Sequence, residues 1–185
     1  MSEQPLPEYN PRLTDSGMRG NPYWYSRNPF YNAGYGLPNC TCYAWGRFWE
    51  IGDPNRIYEN RPNLSTGNAE DWFGHTSDGY DRGSEPALGA IACYSGGIYS
   101  GLGHVCVVEE IDEANNRCLV SESGYGAWYF RASHYISMNG NYNEGGYTFQ
   151  GFIYNPFSGG GPSEWNRKIW MFKRLLWKRE QELIR

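Results

Sequence analysis

The spacing of apolar positions changes character near Pro86. Upstream of it, Ala44, Phe48 and Ile51 recur at helical intervals within residues 39–51, which predicts an amphipathic helix with one apolar stripe. Asn39, following Pro38, suits the N-cap of that helix, and Gly52-Asp53-Pro54 ends it. A second, short helix is predicted over 68–73, with Asn68 as cap, Glu70 and Asp71 in the first turn and Gly74 at its end. Downstream of Pro86, short apolar runs at 88–94, 105–111, 119–122, 128–136 and 149–154 are separated by turn residues and read as strands. Helices first and a mostly antiparallel sheet afterwards is the segregation of an α+β fold, not of a doubly wound one.

The flanks follow other patterns. Residues 1–36, rich in Asn, Pro, Gly and Tyr, show no sustained period. They read as an irregular arm packed on the domain by its aromatics, with contact to substrate as the alternative. The domain proper runs over 37–157 and a Gly-rich linker over 158–163. In 164–185, Trp165, Ile169, Phe172, Leu176 and Leu183 mark one face of an expected basic amphipathic helix. So regular a stripe suits packing on a partner or on the domain better than lying on a membrane.

Composition narrows the class. The 185 residues suit one domain, and 24 Gly with 11 Pro exclude a helical bundle as the main architecture. Aromatics make up 17% of the chain, which argues against disorder. The net charge of −4 argues against a nucleic-acid partner. It is uneven, because residues 163–185 carry seven Lys/Arg and three Glu, leaving −8 on the rest. No apolar run is long enough for a transmembrane helix. Met1-Ser2-Glu3-Gln4-Pro5 has neither a basic n-region nor an apolar stretch, so no signal peptide is expected. Five cysteines, an odd number, imply no disulfide framework and at least one free thiol in a monomer.

Candidate chemistry rests on Cys40, His104 and Glu122. Thiolate is the nucleophilic form of cysteine, and a helix N-terminus favours negative charge. Cys40 falls in the first turn of the predicted helix, where backbone N–H groups also suit an oxyanion. Cys42, Cys93, Cys106 and Cys118 read as small core residues. A base must come from His75, His104 or His134. His104 is favoured because it opens an apolar strand beside a Gly-rich loop, whereas His75 lies in a polar loop and His134 among exposed-type residues. If the strands on either side of Asp112–Arg117 form a hairpin, residues near 122–127 return beside His104, and Glu122 is the carboxylate among them. An acceptor there would orient the imidazole. The rival chemistry is zinc held by Cys40, Cys42, Cys93, Cys106 and His104. Cys-Thr-Cys lacks the Cys-x-x-Cys spacing, and residues two apart on a helix diverge by about 200°.

Asn39-Cys-Thr-Cys-Tyr-Ala-Trp-Gly-Arg47, Gly89-Ala-Ile-Ala, Gly103-His-Val and Val120-Ser-Glu-Ser-Gly-Tyr125, in that order, resemble the CHAP domain. This family comprises cysteine- and histidine-dependent amidohydrolases/peptidases of the papain-like superfamily. The resemblance covers roughly residues 30–155 and implies a papain-like fold. It implies that Cys40 attacks an amide, His104 acts as base and then acid, and Glu122 orients the imidazole. Peptidoglycan is the implied substrate, cut by a cysteine endopeptidase in a cross-bridge or stem peptide, or by an N-acetylmuramoyl-L-alanine amidase. Family members often carry Gln before the cysteine and Asn two residues past the acid, where this chain has Asn39 and Gly124. Asn39 is therefore a candidate for the oxyanion hole, and Ser121 or Ser123 for an auxiliary polar role.

No cofactor is implied. The calcium loop of some phage members is rich in Asp, whereas residues 21–39 here contain neither Asp nor Glu. The arm and Pro38-Asn39-Cys40 are similar to modules of phage lysins acting on Gram-positive walls, virion-tail lysins included. The expected places are the host cytoplasm followed by the cell wall, or the virion tail, with other tail proteins as partners of the C-terminal helix. The rival from another class is a catalytically inactive wall-binding or tail-structural module.

Overall fold

The computed structural model describes residues 9–98 and 101–158. Two helices come first, α1 (Pro29–Asn32) and α2 (Cys40–Gly52). Six strands follow: β1 (Arg82–Gly83), β2 (Ile91–Gly96), β3 (His104–Asp112), β4 (Arg117–Glu122), β5 (Arg131–Ser137) and β6 (Tyr147–Ile153). They form one sheet in the order β1-β6-β2-β3-β4-β5, with every neighbouring strand pair antiparallel. The α+β segregation read from the sequence is thus observed.

The strands alternate as a two-sided sheet requires. Val105 and Val107 of β3 join a buried cluster with α2 and the aromatic residues Tyr23, Trp24, Phe30 and Trp72. Cys106 and Val108 face the other way, into a cluster with Val120, Ile136, Tyr142 and Phe152. The β3–β4 hairpin turns through Glu113–Asn115, where Asp112 accepts from the Asn115 N–H and Asn116 takes a left-handed conformation. Val107 then pairs with Ser121, which carries Glu122 back toward His104.

Helix α2 departs from the one-stripe expectation. Residues 41–49 are all buried, including Arg47. The reason is the N-terminal segment, whose Met18, Tyr23, Trp24 and Phe30 cover the face a stripe would have left to solvent. Contact is closest at Gly46, where an added Cβ would meet the Trp24 indole and lie 2.7 Å from the Tyr23 carbonyl. Gly46→Ala is therefore expected to destabilise the fold by about 1–3 kcal/mol, as overpacking does. Chemical denaturation of the variant checks this.

Several predicted boundaries shift, β4 and β6 each beginning two residues early, at Arg117 and Tyr147. β2 begins at Ile91, not 88, because Gly89 has φ +73° and the Ala90 N–H closes a turn on Ala87. β5 begins at Arg131, not 128, because Gly124–Ala127 forms a turn and Gly124 N–H bonds the Trp128 carbonyl. The second helix shrinks to a 3-10 turn, Ala69–Asp71, and the Asn68 side chain makes no cap bond. Pro156–Ser158 is another such turn. The helix expected over 164–185, the linker after Ser158 and residues 1–8 of the arm lie outside the described residues. Among the described residues no helix is long and apolar enough to cross a membrane.

Candidate active site

Cys40 is the first residue of α2. Asn39 caps the helix, its Oδ1 accepting from Thr41 N–H at 2.9 Å and Cys42 N–H at 3.2 Å. The Tyr43 N–H bonds the Asn39 carbonyl, and the Asn39 N–H donates to Ser123 Oγ. Among the first-turn amides this leaves the Cys40 N–H, beside its own thiol, without an acceptor among the described residues. An oxyanion forming at that thiol would meet a donor already in place. Asn39 Oδ1 is committed to the cap, and Ser123 Oγ donates to the Trp128 carbonyl at 3.2 Å.

His104 opens β3 and is buried. Its Nε2 lies 2.6 Å from Glu122 Oε2. A carboxylate only accepts, so Nε2, which also has Tyr142 Oη at 3.3 Å, carries the proton, and this leaves Nδ1 for the Cys40 thiol, a further hydrogen-bond partner of His104. The three residues expected from the sequence thus form a connected series from thiol to imidazole to carboxylate. His75 is remote from it, bonded to Ser77 in an exposed turn.

Glu122 is held more closely than a lone orienting acid requires. It is fully buried. Tyr142 donates to the oxygen that faces His104. Arg131 Nε, at 2.8 Å, and His134 Nδ1, at 3.2 Å, reach the other oxygen. Nothing in the sequence reading singled out Arg131 or Tyr142, and His134 stood only as a rival base. The alternation of β5 carried a usable signal, because His134 and Ile136 are its two buried positions. Tyr142 lies in a loop, outside any period.

The electrostatics follow from these contacts. Burial opposes charge on His104, but hydrogen bonds with Cys40 and Glu122 outweigh it and push its pKa up to about 10. Burial likewise opposes charge on Glu122. Hydrogen bonds from His104 and His134, with the nearby His104 and Arg131 charges, hold it well below the usual carboxylate range. The stabilising contribution of Glu122 is thus present above its unfolded value of about 4.3 and is lost as pH falls below it. That of His104 is complete below about 6.5 and fades as pH rises toward 10.

The other four cysteines are buried, and Cys40 is half-exposed. Burial pushes the Cys42 and Cys118 thiols up to about 12 and raises those of Cys93 and Cys106 as well. Iodoacetamide at neutral pH is therefore expected to modify Cys40 first, as peptide mapping would register. Prior modification of Cys93 or Cys118 would contradict this placement.

His104, Cys106 and Glu122 bring potential ligand atoms within 4.8 Å of one another. Two ligands on one tetrahedral zinc stand about 3.3 Å apart. The 2.6 Å between Nε2 and Oε2 is a hydrogen-bond separation, and burial favours the protonated thiol at Cys106. Cys42 points its sulfur at the Trp24 carbonyl, into the core.

A family model described as CHAP domain matches residues 30–124, just over half of the chain. A search of curated proteins finds no match. The matched span contains Cys40, His104 and Glu122, and the antiparallel sheet preceded by short helices agrees with a papain-like α+β fold.

Proposed function

The chain belongs to the CHAP domain family, whose chemistry is cysteine- and histidine-dependent amide hydrolysis of peptidoglycan, and from that premise we propose that Cys40, His104 and Glu122 carry out this hydrolysis. The observation that carries the proposal is the buried His104 between the Cys40 thiol and the Glu122 carboxylate.

Cys40 sulfur, its proton taken by His104, attacks the carbonyl carbon of the scissile amide. The tetrahedral oxyanion is received by the Cys40 N–H. His104 returns the proton to the departing nitrogen, the C–N bond breaks, and a thioester remains on Cys40. Water, losing a proton to His104, attacks the thioester, and the product leaves as a carboxylic acid while the thiol is restored. Glu122 keeps the Nε2 proton in place and stabilises the imidazolium throughout. The sequence draws on no cofactor.

We read the protein as a phage lysin for Gram-positive walls, acting on a cross-bridge or stem peptide bond or on the muramoyl-L-alanine bond, from the host cell or the virion tail. What supports this is the similarity of the arm and of Pro38-Asn39-Cys40 to phage modules. Mass spectrometry of muropeptides from purified Gram-positive walls tests it. A lactyl carboxyl freed together with an L-alanine amine names an amidase, a new amine and carboxyl within the peptide an endopeptidase, and intact walls refute both. A second reading, a glycan-binding module without catalysis, draws on Tyr125 and Trp128, which are exposed in the turn after β4. It forecasts wall sedimentation with no fragments released.

A further inference from the structure

Five hydrogen bonds converge on one carboxylate across the sheet from His104. Glu109 of β3 is 1% exposed. It accepts from Tyr9 Oη at 2.6 Å, the Arg12 N–H at 2.8 Å, Arg47 Nε at 3.0 Å, Arg47 Nη2 at 2.9 Å and Ser121 Oγ at 2.6 Å. Ser121 Oγ in turn accepts from Tyr43 Oη at 2.7 Å. One cluster therefore joins the N-terminal arm, α2, β3 and β4. Glu109 is also the extra residue of a bulge, since Val108 pairs with Val120 and Glu110 with Leu119. Bulges re-aim side chains, and this one aims a carboxylate at the nucleophile helix.

A buried ion pair is by itself weak evidence of stabilisation. The connection to the chemistry comes from β4 and its direct continuation. Ser121, Glu122 and Ser123 are consecutive, so the outer two face opposite to the middle one. Ser121 bonds Tyr43, and Ser123 accepts from the Asn39 N–H at 3.0 Å. Asn39 and Tyr43 bracket Cys40 in the first turn of α2. Glu122, between the serines, holds His104. The same three residues thus grip both ends of the turn that carries the thiol and the imidazole that meets it.

We propose that Ser121 is a positioning residue: with Glu109, and through it the arm residue Tyr9, it sets the separation of Cys40 and His104. This rests on the catalytic reading above. Displacements near 1 Å cost about 100-fold in rate, so the hydroxyl acts on turnover more than on affinity.

The test compares wild type, Ser121→Ala and Tyr9→Phe by Cys40 alkylation with iodoacetamide across pH, by wall turnover and by thermal melting. Ser121→Ala is expected to lower neutral-pH alkylation and turnover together, by about 10- to 100-fold, with KM within about twofold. Tyr9→Phe removes one hydroxyl at the edge of the cluster and is expected to lower both about threefold, a readout that stands even where Ser121→Ala does not fold. Variants that melt lower yet alkylate and turn over like wild type would overturn the inference, leaving a structural cluster. A wild-type Cys40 no more reactive than free cysteine would instead overturn the catalytic reading, and this inference with it.

Discussion

Cys40→Ala is expected to abolish clearance of a wall suspension while the protein stays folded and wall-bound. Removing the nucleophile of a triad takes away nearly all of the rate that the triad supplies, roughly 10⁴-fold or more. The thiol is half-exposed at the first position of α2, and its removal leaves the Asn39 cap and the Ser123 contact intact. Fold and binding should therefore survive, as circular dichroism and wall sedimentation would register. Equal clearance by wild type and variant would place the activity elsewhere and favour a binding role for this surface.

Glu122→Gln is expected to reduce turnover by roughly 10³- to 10⁴-fold with little change in shape. A glutamine has one oxygen, whereas His104, Tyr142, Arg131 and His134 all address this side chain. Whichever way the amide turns, its NH2 faces groups that are themselves donors. Loss of the negative charge removes part of what raises the His104 pKa, so the alkaline limb of the pH–rate profile should move to lower pH. Stability should fall by about 3 kcal/mol at neutral pH, because Arg131 loses its buried carboxylate and keeps the neutral contacts to Tyr142 and His134 and the more distant Glu144, at 3.6 Å. That difference should shrink as pH falls below about 4, where wild-type Glu122 loses its own stabilising contribution. Urea denaturation at two pH values checks the sign. A loss of stability that grows on acidification would contradict it.

Much of the fold was legible because local signals agreed. The Pro38-Asn39 cap and the Gly52-Asp53-Pro54 stop bracket α2 within a residue of its observed ends. The apolar run after Gly103 gives β3, and the polar stretch from Asp112 gives the hairpin that returns Glu122. Cys40, His104 and Glu122 were legible because each sits at the edge of a strongly patterned element. Other features depended on distant chain segments. Arg47 is buried by Tyr9, Asn10 and Glu109, contacts that no local pattern around it foretells. Burial of α2 on all sides comes from aromatics near residues 18–30, where the sequence shows no period. His134 and Arg131 meet Glu122 through a register shift in β4–β5, which alternation does not foretell. Tyr142 arrives from a loop whose course only the tertiary structure fixes.

The most direct measurement is the release of new chain ends from purified Gram-positive walls by wild type and by Cys40→Ala. If Cys40 attacks an amide, wild type frees new amines, accompanied by lactyl carboxyls where the muramoyl-L-alanine bond is cut, without new reducing sugar ends, and the variant frees none of these. New reducing ends, or equal release by both proteins, would contradict a thiol-dependent amide hydrolysis at Cys40, His104 and Glu122.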